Sequence, residues 1–138
     1  MKNRSKEGAL RFTRTRDHHA NETAEDYVEA VADIIAESGE CRVTQLARHF
    51  DVSHVTVSRI VNRLKEERLL QTQPYRPIEL TAKGAKLAVK VRERHNVVLE
   101  FLIAIGVDKQ SAEIDSEGIE HHVGPKTLAA MKLSLIHI

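Results

Sequence analysis

Residues 43–53 read Val43-Thr44-Gln45-Leu46-Ala47-Arg48-His49-Phe50-Asp51-Val52-Ser53. The first eight predict a short helix, and the last three predict a tight turn with Ser53 placed to cap a second helix. Apolar residues at helical spacing mark that second helix: Val55, Val57, Ile60, Val61 and Leu64. Two helices joined by a three-residue turn, with Ala47 small enough for close packing, predict a helix-turn-helix.

The second helix exposes groups that can hydrogen-bond to base edges and phosphates: His54, Thr56, Ser58, Arg59, Asn62 and Arg63. Beyond it, short alternating runs on both sides of Pro74-Tyr75-Arg76 predict a small β-hairpin. Arg76, near its tip, is placed to reach a phosphate or the minor groove. A recognition helix followed by such a hairpin predicts a winged helix-turn-helix. The simpler alternative is a helical hairpin with a polar outer face, and the positive charge of the region argues against it.

The formal net charge is only +1, but the charge is unevenly distributed. Residues 41–94 carry 12 Lys and Arg against 5 Asp and Glu, whereas residues 95–138 carry 3 against 6. A basic middle favours a polyanion as partner, and an acidic end favours cations or another protein.

Composition also bears on where the protein works. The single cysteine, Cys41, cannot form an internal disulfide, which fits a reducing cytosol. No apolar run approaches the ~20 residues needed to span a bilayer, and the N-terminus lacks the apolar segment of a secretory signal. We therefore expect a cytoplasmic protein with no membrane partner.

Residues 1–21 are basic and show no apolar periodicity, so they predict a disordered arm. A first helix is expected from about Ala24 to Ser38, with Thr23 as its N-cap and Gly39 after its end.

Thr81 is placed to cap a long helix from Ala82 to about Ile105, whose last turns are more apolar than a lone exposed helix tolerates. The simplest expectation is that a second copy of the chain covers this apolar surface, because operator-binding proteins are commonly symmetric dimers. Asp108 is placed to cap the next helix, and Pro125 to begin another. Residues 133–138 match the translation of a common sequencing-library adapter, so we expect them not to be native and the chain to be cut short near Lys132.

The stretch Asp115–His122 reads Asp-Ser-Glu-Gly-Ile-Glu-His-His. On a helix, Glu117, Glu120 and His121 lie at i, i+3 and i+4, so their side chains leave one face. Two carboxylates and an imidazole suit a divalent cation such as manganese. A solvated polar face is an equally good reading of this stretch alone.

With these elements in place, the chain from about Glu22 to Lys132 resembles the manganese transport regulators of the diphtheria-toxin-repressor family of iron-dependent repressors. Three stretches carry the resemblance: Glu25-Asp26-Tyr27-Val28-Glu29, Arg94-His95 and Asp115–His122. It implies a pair of adjacent divalent metals, Mn²⁺ first, with Fe²⁺ or another divalent metal as the alternative. The ligands it implies are Asp26, Glu29, His95, Glu117, Glu120 and His121.

By spacing alone, Asp26 is a carboxylate near a positive helix terminus and His95 is a hydrogen-bonded core residue. The resemblance makes metal ligands of both. Iron-responsive members of the family carry Met where Asp26 stands and Cys where Glu117 stands, and hard oxygen ligands favour manganese. The resemblance also places Ser53, Val55 and Arg59 at DNA. Together with the polar groups above, the predicted DNA-binding residues are Ser53, Val55, Thr56, Ser58, Arg59, Arg63 and Arg76.

The predicted fold is mainly α with a small β-wing. A winged helix-turn-helix DNA-binding domain occupies residues 22–81, and a helical metal-binding and dimerisation domain occupies residues 82–132. The implied function is manganese-dependent transcriptional regulation, mainly repression of manganese uptake. In this reading, Mn²⁺ bound between the two domains sets a homodimer for double-stranded operator DNA.

Two other regulators remain open: an iron-responsive repressor of the same family, and a metal-independent winged-helix regulator that senses a small molecule. An enzyme with a small-molecule substrate is not expected, because the sequence offers no placed nucleophile or general base beyond the ligands.

Overall fold

The structure is a computed structural model that describes the backbone of residues 2–136 and the side chains of residues 8–11, 16 and 19–136. Its elements, in chain order, are α1 (Lys2–Ser38), α2 (Val43–Phe50), α3 (His54–Glu66), β1 (Leu70–Gln71), β2 (Glu79–Leu80), α4 (Ala82–Ala104), α5 (Lys109–Ile119) and α6 (Pro125–Ile136). They form two compact units. Residues 24–93 are called the winged unit below; residues up to 23 and from 94 onward are called the helical unit. The boundary falls inside α1 and inside α4.

The winged unit contains the predicted helix-turn-helix and hairpin. Asp51 takes a left-handed conformation (φ 53°) at the end of α2, and Ser53 caps α3 by accepting a hydrogen bond from the Thr56 N–H at 3.1 Å. The antiparallel strands β1 and β2 pair only two residues each, fewer than the alternating runs predicted. Pro74 and Pro77 lie between the strands, and a proline has no N–H to extend a ladder.

The core of the winged unit is built from apolar side chains of α1, α2, α3, the hairpin and the start of α4. Its wholly buried larger members include Val28, Val31, Leu46, Val57, Leu64 and Leu70. Tyr27 of α1 stacks on Phe50 of α2 with ring centroids 4.4 Å apart, and burial raises the pKa of the Tyr27 hydroxyl. This packing joins α1 to the helix-turn-helix.

Cys41 connects this core to the hairpin. Its side chain is wholly buried, and its carbonyl oxygen accepts a hydrogen bond from the Ile78 N–H at 2.7 Å. Burial raises the pKa of the Cys41 thiol to about 11, so the reactive thiolate is scarce near neutral pH. We expect Cys41 to react with a thiol reagent at pH 7.5 at least about 100-fold more slowly in the folded chain than in urea. Equal rates, followed by absorbance, would contradict this packing of the hairpin.

The junction between the hairpin and α4 is tightly hydrogen-bonded. The Thr81 hydroxyl donates to the carbonyl oxygen of Arg68 at 2.6 Å and accepts from the N–H of Gly84 at 3.0 Å. Thr81 is therefore the cap of α4, as predicted. Gly84 is buried, and a Cβ added there would lie only 2.0 Å from the carbonyl oxygen of Leu69. The start of α4 thus requires glycine at this position.

The predicted start of the first helix is wrong, because α1 begins at Lys2 rather than near Ala24. The residues predicted as a disordered arm are helical from Lys2 onward; Met1 lies outside the described residues. Thr23 is not an N-cap, since its hydroxyl donates to the carbonyl oxygen of His19 one turn earlier. Residues 2–23 contain no proline and a single glycine, Gly8. Once packing has nucleated a helix, each residue added to its end gains one hydrogen bond, so the extension does not require an apolar stripe.

In the helical unit, Gly106 (φ 107°) follows α4, and Asp108 caps α5 by accepting a hydrogen bond from the Ser111 N–H at 3.0 Å. That hydrogen bond lowers the pKa of Asp108. The helix starts predicted at Asp108 and Pro125 are confirmed. Residues 133–136 of the tail expected not to be native continue α6, whereas residues 137 and 138 lie outside the described part of the chain.

Several large apolar side chains of the helical unit are exposed: Leu10, Ile103, Ile105, Ile114, Ile119, Leu133 and Ile136. This is apolar surface of the kind that association would cover. Within residues 2–136, no helix combines the length and the hydropathy that crossing a bilayer requires.

Candidate metal centre and nucleic-acid interface

A cluster of imidazoles and carboxylates lies in the helical unit. Nδ1 of His95, on α4, is 2.5 Å from Oε2 of Glu120, and the other carboxylate oxygen of Glu120 is 3.4 Å from Nε2 of His121. The side chains of Glu120 and His121 are only 4% and 3% exposed. A carboxylate is expensive to bury unless polar partners surround it, and here an imidazole lies at each oxygen.

The local sequence explains why Glu120 is buried. Helix α5 ends at Ile119, and the chain turns through Glu120, His121 and His122 before α6. The Glu120 N–H still donates to the carbonyl oxygen of Ser116 at 3.0 Å, so the first residue of the turn keeps the helical direction. Ser116, one turn before Glu120, is also wholly buried, so both residues lie on the inward side of the chain at this point.

The residues of this cluster fit a divalent metal. They offer imidazole nitrogens and carboxylate oxygens, the donor types that manganese and iron(II) accept, and a buried setting in which a cation would be well held. No thiolate or thioether is among the donors described, which distinguishes the cluster from sites for softer metals.

Glu117 does not join this cluster. It is exposed on α5, one turn before the buried Glu120. The interpretation of residues 117, 120 and 121 as one helical face assumed that they share one environment, whereas Glu117 is exposed and Glu120, one turn later in the same helical direction, is buried. The assignment of Glu117 as a metal ligand stays a prediction from the resemblance.

Asp26 and Glu29 lie on α1 in the winged unit, both partly buried and three residues apart on one side of the helix. Oxygen Oε2 of Glu29 is inaccessible to solvent. The apolar stripe of α1, with Val28 and Val31 wholly buried, fixes the direction of both carboxylates.

The residues predicted to bind DNA lie in the winged unit but differ in exposure. Ser53, Ser58, Arg59 and Arg76 are exposed, and Val55 is 79% exposed, which leaves an apolar side chain free to meet a thymine methyl group. These five side chains are accessible to a ligand.

The other two predicted DNA-binding residues are less accessible. Thr56 is partly buried, and its hydroxyl oxygen accepts a hydrogen bond from Ser53 at 3.0 Å. Arg63 is also partly buried, with its Nε 3.8 Å from a carboxylate oxygen of Glu67. Sequence periodicity placed them on the outer face, but both have local hydrogen-bonding or ionic partners.

A polar groove of about 390 Å³ lies between α3 and the hairpin. Its lining includes Arg42, Thr44, Asn62 and Tyr75 as well as the predicted residues Ser58 and Arg76. Arg42 and Thr44 precede and begin α2, so no periodicity in α3 could have pointed to them. The 99% exposure of Tyr75 at the hairpin tip agrees with the aromatic residue predicted there.

Sequence reasoning also missed Glu22. Its Oε2 is 3.5 Å from Nε2 of His122, and one of its carboxylate oxygens is within 4.8 Å of a ring nitrogen of His121. The signal was present, because Glu22, Asp26 and Glu29 are spaced i, i+4 and i+7, a single helical face. It was hidden by placing the start of the helix after Glu22.

Comparison with known proteins identifies related sequences along both units. The sequence model for "Iron dependent repressor, N-terminal DNA binding domain" matches residues 19–78, and that for "Iron dependent repressor, metal binding and dimerisation domain" matches residues 81–138. The transcriptional regulator MntR of Escherichia coli O6:H1 (strain CFT073) is 43% identical over 122 residues, which cover 88% of this chain and 79% of that protein. The HTH-type transcriptional regulator MntR of Bacillus subtilis (strain 168) is 37% identical over 99 residues, 72% of this chain and 70% of that protein.

Among solved structures, that of the manganese regulator SloR superposes with a TM-score of 0.72 at 23% identity, covering 83% of this chain and 54% of that one. At this identity the likeness concerns the fold alone. The two matched sequence models together extend over most of the chain. The helix-turn-helix lies within the match to the DNA-binding model, and His95, Glu120 and His121 lie within the match to the metal-binding model. The chain therefore belongs to the iron-dependent repressor family.

Proposed function

We propose that this protein is a manganese-dependent, DNA-binding transcriptional regulator, mainly a repressor of manganese uptake. The observation that carries the proposal is the buried His95–Glu120–His121 cluster in a chain that also has a winged helix-turn-helix. The MntR relatives, named as transcriptional regulators, support it at 37–43% identity.

The DNA-binding role rests on the exposed face of α3. Arg59 and Ser58 are exposed polar groups, Val55 is an exposed apolar one, and Arg76 lies across the polar groove on the hairpin. Inserted in a major groove, α3 would read base edges, while Arg76 and the groove would contact the sugar–phosphate backbone. In a homodimer, two copies of α3 would meet half-sites about 34 Å or a multiple apart.

The proposed ligands are distributed over both units. Asp26 and Glu29 belong to the winged unit, whereas His95, Glu117, Glu120 and His121 belong to the helical unit. Bound to ligands from both, Mn²⁺ would neutralise carboxylates that otherwise repel one another. Ligands shared in this way would favour one arrangement of the chain for operator binding, a coupling typically worth ~1–3 kcal/mol, and operator DNA would tighten metal binding by the same factor.

Manganese is preferred over iron because Asp26 and Glu117 are carboxylates where iron-responsive relatives are expected to carry Met and Cys. Oxygen donors lower the advantage of softer metals, and selectivity then depends on geometry and on which metals the cell supplies. A binuclear site is part of the same proposal.

The assignment of the two domains belongs to the same proposal. Residues 22–81 would form the DNA-binding domain and residues 82–132 the metal-binding and dimerisation domain. The exposed apolar side chains of the helical unit support a homodimer. Relatives named as transcriptional regulators support a non-enzymatic role, and the single, buried Cys41 is compatible with the cytoplasm.

The proposal predicts that the chain shifts DNA from upstream of its own gene in a gel when Mn²⁺ is present, and not when a chelator is added. Replacing Arg59 with Ala should weaken that binding by about 1–3 kcal/mol, roughly 5- to 150-fold. Lys90→Ala is the matched control, because Lys90 is an exposed cation of the winged unit that lies on α4 and not on α3 or the hairpin. Binding that is equally strong with chelator would instead support a metal-independent regulator.

A further inference from the structure

Five side chains of the helical unit alternate between imidazole and carboxylate. Beyond His95, Glu120 and His121, the series continues to Glu22 and His122. Glu22 comes from the segment of α1 that belongs to the helical unit, and the two histidines come from the turn after α5. The described cluster therefore includes two residues, Glu22 and His122, that are not among the ligands implied by the resemblance.

We propose that Glu22 is an additional carboxylate ligand of the cation held at Glu120 and His121, and that His122 is a positioning residue for Glu22. This inference rests on the proposed metal-dependent function. It assigns to both residues a role that the resemblance did not give them.

Distance supports Glu22 as a ligand. A carboxylate oxygen of Glu22 and a ring nitrogen of His121 are no more than 4.8 Å apart. Two ligand atoms on opposite sides of a small divalent cation lie roughly 4 Å apart, because each metal–ligand distance is about 2.0–2.2 Å. A small movement of the Glu22 side chain would bring both atoms onto one ion. The carboxylate is 29% exposed, so it can move without disturbing a packed core.

His122 is placed to hold that carboxylate in position. Its Nε2 is 3.5 Å from Oε2 of Glu22, which leaves the other oxygen of the carboxylate to face a cation. Outer partners of this kind orient ligating carboxylates, and their removal typically weakens metal binding by 10- to 100-fold. An exposed ion pair with no metal role would contribute little to the protein.

The chemical consequence is a harder, more negative site. Within the helical unit, Glu22 adds a carboxylate to Glu120 and the two imidazoles of His95 and His121, and oxygen-rich, negatively charged sites favour hard cations such as manganese over softer ones. Glu22 also lies one helical turn before Asp26 on α1, so the helix would offer carboxylates at i, i+4 and i+7.

The test measures Mn²⁺ binding to the full chain by calorimetry and by the loss of the free Mn²⁺ signal in electron paramagnetic resonance. Glu22→Gln should weaken the tightest binding at least about tenfold. Glu22→Asp, which keeps the charge but withdraws the oxygens by one methylene, should also weaken it. His122→Gln should weaken it less than Glu22→Gln. Glu37→Gln, an exposed carboxylate near the other end of α1, is the matched control and should bind as the unchanged chain does.

The outcomes separate the inference from the proposed function. Unchanged affinity of Glu22→Gln, with normal Mn²⁺ binding by the parent chain, would overturn the inference and leave the proposed function standing. Full affinity of Glu22→Asp would also overturn it, because only the charge would then matter. If the parent chain itself bound no Mn²⁺, the proposed function would fail first. Circular dichroism melts without metal check that every variant folds.

Discussion

Gly84→Ala is expected to lower the free energy of unfolding by about 3 kcal/mol, the upper part of the range for overpacked sites. The new Cβ would lie 2.0 Å from the carbonyl oxygen of Leu69 and 3.0 Å from its carbonyl carbon. That oxygen cannot move away freely, because it accepts a hydrogen bond from the N–H of Thr81 at 3.1 Å, and the hydroxyl oxygen of Thr81 lies at the same distance. The gain from replacing a helical glycine with alanine, about 1 kcal/mol, is too small to compensate.

Thermal unfolding followed by circular dichroism measures this effect. A loss of this size corresponds to a fall in Tm of roughly 10–20 °C for a domain of this length. Gly118→Ala on α5 is the control, since its Cβ would meet nothing within 4 Å, and it should leave Tm unchanged or raise it. A Gly84→Ala chain as stable as its parent would show that the junction before α4 is looser than described.

Glu120→Gln is expected to have the largest effect on function. The amide keeps the size of the side chain and can still hydrogen-bond to His95 and His121, but it removes the charge that faces both imidazoles. Because Glu120 is a proposed ligand rather than an outer partner, Mn²⁺ affinity should fall by more than about 100-fold. DNA binding should then no longer respond to Mn²⁺.

Calorimetry and a gel shift with and without Mn²⁺ test both statements. Glu113→Gln is the control, because Glu113 is an exposed carboxylate of α5, the helix that precedes Glu120, and its contact with Ser116 uses only its backbone oxygen. Parent-like Mn²⁺ affinity in Glu120→Gln would remove Glu120 from the site, even though it is buried between two histidines.

Local signals were sufficient for the winged unit. The turn at Asp51–Ser53, the cap at Thr81 and the apolar spacing of α3 are properties of neighbouring residues, so the sequence predicted them correctly. The requirement for glycine at position 84 was not predictable. It arises from the approach of Leu69, fifteen positions earlier in the chain, and nothing adjacent to Gly84 reveals it.

The candidate metal site was predicted only in part, for two physical reasons. Helical periodicity gives Glu117 and Glu120 the same direction but not what packs against each of them, and only Glu120 is buried. Helix α1 extends at its N-terminal end beyond its apolar stripe, because the extension of an existing helix needs little stabilisation from packing. That extension brings Glu22 to His122, a contact between distant parts of the chain.

The two tyrosines of the chain are in opposite surroundings. Tyr27 is 4% exposed and stacked on Phe50, whereas Tyr75 is 99% exposed at the hairpin tip, and the chain has no tryptophan to mask their emission. The intrinsic fluorescence therefore has two components. A soluble quencher reduces the emission of the exposed Tyr75 first, and the remaining emission comes from the buried Tyr27. If a DNA duplex protects the Tyr75 emission from the quencher, the hairpin tip contacts the duplex, and no added label is needed to show it.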